Sequence, residues 1–99
     1  MSQQIDVPVE TLRRAARILL DRLEAASGAS VALEKDMFWA IPTEHRSNVY
    51  SEPTEFTVGQ LSESLENVRR IVEDPDSATA FALVWLADLL RAAGEAVIE

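Results

Sequence analysis

The stretch of residues 31–62, "VALEKDMFWAIPTEHRSNVYSEPTEFTVGQLS", decides the fold, and its centre is the run "DMFWAIP". In that run Met37, Phe38 and Trp39 follow one another directly. Consecutive side chains leave a strand or a helix in different directions, so at least one of the three must point away from the others. The run therefore cannot belong wholly to one core.

Two interpretations of this run stay open. In the first, Phe38 and Ile41 close the open side of a helical layer and Trp39 covers them. In the second, an exposed aromatic surface binds a protein partner, because Trp, Tyr and Arg are the residues that most often anchor interfaces. The candidate partner-binding residues are Trp39, His45, Arg46 and Tyr50.

The residues that precede this stretch predict a first helix over about 8–27. Apolar side chains recur there at spacings of three and four, as one face of a 3.6-residue repeat requires. Pro8 suits a first helical turn, and Gly28 suits the end of a helix. The apolar face consists of Val9, Leu12, Ala16, Leu19 and Leu23.

The end of the stretch predicts a second helix over about 58–73. Thr57 and Gln60 have the spacing of a capping box, in which two side chains bond the first free backbone N–H groups of a helix. Pro75 ends the pattern, because the residue before a proline is biased away from helical conformation. The expected apolar stripe is Val58, Leu61, Leu65, Val68 and Val72.

A third helix is predicted over about 78–94, and it is apolar on two sides. Such a helix needs cover on most of its surface. We expect the ring-bearing stripe with Phe81, Trp85 and Leu89 to face the core of its own chain. A twofold homodimer is the commonest way to bury the other stripe. The candidate dimer contact is Leu83, Leu86 and Leu90.

Together these patterns predict a mainly α fold in a single small helical domain, residues 1–99. Three helices are closed by an ordered aromatic loop over residues 30–56. The loop has room for a very short β-hairpin, with extended segments near Val31 and Leu33 and near Val49 and Tyr50.

Charge and composition disfavour several classes of partner. The net charge is −8, and the whole acidic excess lies in residues 31–99. Nucleic acids and anionic membranes select clustered Lys and Arg, which this chain lacks. The chain has no cysteine, no signal-peptide pattern and no apolar run of the ~20 residues that a membrane span needs. We expect a cytoplasmic protein that binds neither nucleic acid nor membrane.

Motifs for catalysis are missing from the sequence. His45 is the one histidine, too few ligands for a zinc site, and the nearby serines lack a nucleophile motif. No cofactor is predicted, and the sequence favours a protein that is not an enzyme.

"DMFWAIP" followed by "YSEPTEFTVGQLSESLENV" resembles a group of small uncharacterised bacterial proteins. Their pattern is Asp, two aromatics, Trp, a variable residue, Ile and Pro, then Glu-Pro and Thr-Val-Gly-Gln-Leu. The resemblance covers about residues 30–70. It departs at Met37, where the pattern has an aromatic residue, and at 64–65, where it has an acidic residue followed by Trp. It implies a bacterial origin and no established activity.

The leading functional hypothesis is a small acidic, non-enzymatic protein–protein interaction module. A sharper form is an immunity or antitoxin-like inhibitor that neutralises a basic partner through complementary charge. The alternative is a small ligand-binding protein or enzyme, with a pocket near Trp39, His45 and Tyr50.

Overall fold

The structure, a computed structural model, describes residues 4–40 and 57–97. These residues form helices and two short strands that pair antiparallel, which confirms a mainly helical fold with a very short hairpin. In chain order the elements are helix α1 (Val9–Ser27), strand β1 (Met37–Ala40), strand β2 (Thr57–Gln60), helix α2 (Leu61–Glu73), a 3-10 helix (Pro75–Ser77) and helix α3 (Ala82–Val97).

Helix α1 lies where the sequence predicts it. Pro8 occupies the N-cap position and starts the helix without a side-chain cap. In the first turn Arg14 Nε donates to the Glu10 carboxylate at 3.3 Å, the pairing that four-residue spacing favours. Gly28 ends the helix with φ 83°, which L side chains rarely adopt, and its N–H donates to Glu24 O at 2.7 Å.

The hairpin is not where the sequence analysis placed it. Residues 31–33 are not a strand, and 49–50 lie outside the described residues. The pairing joins β1 to β2, with Phe38 opposite Gly59 and Trp39 opposite Val58. Aromatic side chains favour strands because they pack against cross-strand neighbours. The run that begins at Met37 therefore forms the strand itself.

The predicted start of the second helix, at residue 58 with a capping box at Thr57 and Gln60, is wrong. Thr57–Gln60 is strand β2, and the helix begins directly after it at Leu61. Gln60 occupies the N-cap position but makes no side-chain cap hydrogen bond.

Asp36 caps α2 instead, from the residue that precedes β1. Leu61 N donates to the Asp36 carbonyl oxygen at 2.8 Å. Ser62 N donates to Asp36 Oδ1 at 2.6 Å, and the Ser62 hydroxyl donates to Oδ2 at 2.7 Å. The hairpin register puts Asp36 there, because Met37 pairs with Gln60 and the next residues outward are Asp36 and Leu61. We call these three hydrogen bonds the Asp36 clamp.

Helix α2 packs mainly against α3, and its inward face overlaps the predicted stripe only in part, at Leu61 and Val68. Leu61 and Ser64 are buried, with 9% and 6% of their surface exposed. Leu65 and Val72 of the predicted stripe are exposed, and Val72 exposes 77% of its surface. The stripe is rotated because the clamp and the strand fix the helix at its first residue. Further along the inward face, Val68 and Ile71 are half-buried.

Helix α3 begins and ends later than the predicted 78–94. The 3-10 helix Pro75–Ser77 uses the chain just before it, and the Ser77 hydroxyl donates to Asp74 O at 2.7 Å. Ala78 is then extended, so α3 starts only at Ala82. The helix continues through Gly94, which keeps a negative φ. Among the helices of the described residues, none combines the length and the apolar character that a membrane crossing needs.

Removing the Asp36 carboxylate should destabilise the fold at the α2 terminus. Asp36→Ala leaves the N–H and hydroxyl of Ser62 without their acceptor, and a carboxylate also favours the positive end of a helix. We expect the thermal midpoint, followed by circular dichroism, to fall by several degrees. Glu34→Ala removes a nearby exposed carboxylate that makes no such bonds and should leave the midpoint unchanged.

Acid should abolish the difference between the wild type and Asp36→Ala. The Ser62 hydroxyl and N–H donate to the Asp36 carboxylate and lower its pKa below the ordinary value of 3.8. A lowered folded-state pKa gives stability that is full above the unfolded-state pKa and is lost as the pH falls through the folded-state pKa. The thermal midpoints of the wild type and Asp36→Ala should therefore differ by a constant amount near neutral pH. The difference should shrink as the pH falls below about 4. A difference that is independent of pH would argue against the clamp.

Candidate functional site

The two sides of β1 have different environments. Phe38 and Ala40 are half-buried, whereas Met37 and Trp39 expose 63% and 74% of their surface. Val58, which pairs with Trp39 across the hairpin, exposes 56%. We call Met37, Trp39 and Val58 the outer hairpin face. It is an exposed apolar surface on a strand whose start is fixed by the Asp36 clamp.

The inner side of the hairpin depends on a close approach between Phe38 and Gly59. These residues pair directly across the strands. A Cβ at Gly59 would lie less than 3.0 Å from three atoms of the Phe38 ring. The ring therefore occupies the space that any other residue at position 59 would need for its side chain.

An open cavity of about 680 Å³ lies between the segment before β1, β1 itself and α3. Trp39 and Met37 contribute apolar surface to it. The charged side chains around it have mixed sign, so it presents no single electrostatic preference. They are Glu34, Lys35, Asp88, Arg91 and Glu95.

A second cavity, of about 390 Å³, lies between α1 and α3 and is almost wholly apolar. Among the described residues, Arg22 is the one charged residue that lines it. Its other lining residues come from the apolar face of α1 and from the last turns of α3. We call this cavity the α1–α3 groove, and those residues are Ala16, Leu19, Leu20, Leu23, Ala26, Leu90, Gly94 and Val97.

Only some of the predicted site residues lie within the described part of the chain. Trp39 lies on the outer hairpin face, while His45, Arg46 and Tyr50 lie outside the described residues. Leu83, Leu86 and Leu90, the predicted dimer contact, expose 69%, 39% and 40% of their surface, and Leu90 lines the α1–α3 groove.

The sequence did not predict that the apolar face of α1 is exposed. Its apolar stripe indicates burial, yet Leu12 and Leu19 expose 56% and 64% of their surface. An apolar stripe is the same whether its own chain or another molecule covers it, so no sequence signal separates the two cases.

Metal-binding geometry is not built by the described residues. In the ranges 4–40 and 57–97, no group of three His, Cys, Asp or Glu side chains is placed to hold a metal ion. The lowered pKa of Asp36 comes from the hydrogen bonds that Ser62 donates at the start of α2. That carboxylate therefore serves the fold.

Comparison of the chain with protein-family models, curated proteins and solved structures finds no match.

Truncation of neighbouring residues on β1 should separate a packing role from a surface role. Phe38→Ala removes a half-buried ring and should cost about 2 kcal/mol of unfolding free energy, less than the ~3–5 kcal/mol of a fully buried ring. Trp39→Ala should cost less than about 1 kcal/mol, as for most surface substitutions. Denaturant melts of the two variants test this, and equal losses would contradict the two-sided strand.

A methyl group at position 59 should conflict with the Phe38 ring. We expect Gly59→Ala to cost about 1–3 kcal/mol, the usual range for overpacking. In a Phe38→Ala background the same change should be neutral or stabilising, because alanine costs less backbone entropy than glycine in a strand. Denaturant melts of the four proteins measure this coupling, and additive effects would show that the ring does not occupy that space.

Proposed function

We propose that this protein is a small, non-enzymatic protein–protein interaction module that binds its partner through the outer hairpin face. The observation that carries the proposal is the 74% exposure of Trp39 beside exposed Met37 and Val58. Large side chains of this kind anchor interfaces, since they bury much area with few rotatable bonds. The candidate site also includes His45, Arg46 and Tyr50, which follow β1 in the sequence.

The charge of the chain favours a basic partner. Its net charge of −8 comes entirely from residues 31–99, which include the outer hairpin face. Complementary charge raises association rates and suppresses wrong partners, and salt screens it. An immunity or antitoxin-like inhibitor of a basic bacterial protein is the specific form that we propose, acting in the cytoplasm. The resemblance of about residues 30–70 to small bacterial proteins is consistent with a bacterial inhibitor of this kind.

A second candidate function is supported by the 680 Å³ cavity beside Trp39. Its volume is within the range of small-molecule sites. A ligand there would change the fluorescence of Trp39, which becomes the sole tryptophan in a Trp85→Phe variant. Saturable quenching of that variant by a member of a metabolite panel would favour this function over the interaction module.

The test of the interaction module is retention of a protein partner by the tagged chain from a cell extract of its host. We expect the wild type to retain a basic protein and Trp39→Ala to lose most of it, while folding normally. Val72→Ala is the matched control, because Val72 exposes 77% of its surface on α2, away from the hairpin.

The retained complex should weaken as salt is raised, because screening reduces the attraction between an acidic and a basic protein. A partner that Trp39→Ala retains as well as the wild type does would overturn the proposed site. Failure of the wild type to retain any protein would overturn the proposed function.

A further inference from the structure

We propose that the α1–α3 groove is the interface of a homodimer, in which a second copy of this chain lays its α1 antiparallel against the first. The inference goes beyond the proposed function, because it concerns another surface of the molecule. The occupant is identified by the extent of the apolar surface and by where the charge of the chain lies.

The groove is part of a longer apolar surface. At 100° per residue, Val9 and Leu12 lie on the same face of α1 as the groove residues, and they expose 65% and 56% of their surface. On α3, the spacing of three and four places Leu83 and Leu86 on the face that holds Leu90. Both helices therefore carry the apolar surface of the groove beyond it.

The size of this surface fits a second protein. Eight large apolar side chains on these two faces each expose 38% or more of their surface. Contiguous apolar patches above about 300–600 Å² usually mark a binding surface. Each partner in a standard interface buries on the order of 800 Å². The eight are Val9, Leu12, Leu19, Leu20, Leu83, Leu86, Leu90 and Val97.

The distribution of charge allows a second copy to approach here. Two chains of charge −8 repel each other, but residues 1–30 carry four Arg against four acidic residues and are neutral. Of the residues in 4–40 and 57–97, Arg22 is the one charged residue that lines the groove. Contact centred on α1 therefore brings less acidic surface together than contact through the outer hairpin face would.

The middle of α1 sets the position of the twofold axis. Leu19 lies on the groove face near the midpoint of Val9–Ser27 and exposes 64% of its surface. A twofold axis perpendicular to α1 at this residue pairs the two copies antiparallel, so that their helix dipoles oppose each other. At 100° per residue, Arg14, Arg17, Asp21 and Glu24 lie about 140–160° around the helix from Leu19, outside the contact.

Sedimentation equilibrium at micromolar concentration tests the dimer. We expect the wild type to have about twice the monomer mass of 11.0 kDa, and added salt not to dissociate it, because the contact is apolar and the net charges repel. Leu19→Glu should give the monomer mass with unchanged helicity. Ile18→Glu is the matched control: Ile18 exposes 56% of its surface, lies about 100° around α1 from Leu19 and does not line the groove, so this variant should stay dimeric.

A single introduced cysteine tests the geometry even where Leu19→Glu fails to fold. The natural chain has no cysteine, so the disulfide that Leu19→Cys forms under mild oxidation must join two chains. We expect rapid and nearly complete cross-linking for Leu19→Cys and much slower cross-linking for Ile18→Cys.

Three results would overturn the inference: a monomeric wild type, dissociation by Ile18→Glu as complete as by Leu19→Glu, or equal cross-linking of the two cysteine variants. Trp39→Ala should remain dimeric, so loss of the hairpin-bound partner and loss of the dimer are separate outcomes.

Discussion

The Asp36 clamp is the interaction on which the described fold depends. One residue supplies a backbone acceptor to Leu61 and a carboxylate to the N–H and hydroxyl of Ser62. It thereby fixes the start of α2 and the end of the β1–β2 pairing at the same point. Because β2 runs into α2 without a loop, any slip in strand register would also move Asp36 away from the helix terminus. Strand register and helix start are therefore set together.

This coupling decides which side chains the hairpin exposes. Strand side chains alternate, so the register that places Asp36 at α2 also turns Phe38 toward Gly59 and Trp39 outward. A shift of one residue would exchange Phe38 and Trp39. The same coupling sets the rotation of α2, whose buried residues begin at Leu61. An exposed tryptophan on a strand held in this way is pre-organised, which lowers the entropy cost of binding a partner.

The two surfaces discussed above differ in chemistry and suit different partners. The outer hairpin face lies in the acidic part of the chain, where a basic partner would be attracted. The α1 side of the α1–α3 groove lies in the neutral part, so a second copy that contacts α1 meets less repulsion there. Helix α1 contacts α3 less extensively than α2 does, and its apolar residues stay exposed along its length. If both proposals hold, one dimer presents two hairpin faces, and its partner can bind twice.

Local patterns in the sequence determined the helical class, the bounds of α1 and its end at Gly28, because periodicity and a positive-φ glycine act within one or two helical turns. They also located the acidic excess and singled out Trp39. Tertiary structure alone decided where α2 begins: Thr57 and Gln60 have the local spacing of a cap, yet Asp36, 26 residues before Ser62, provides it. The hairpin register, the inward face of α2 and the exposure of Leu19 were likewise beyond local patterns. Each depends on which distant residues the folded chain brings into contact, and an apolar or capping residue does not encode its partner.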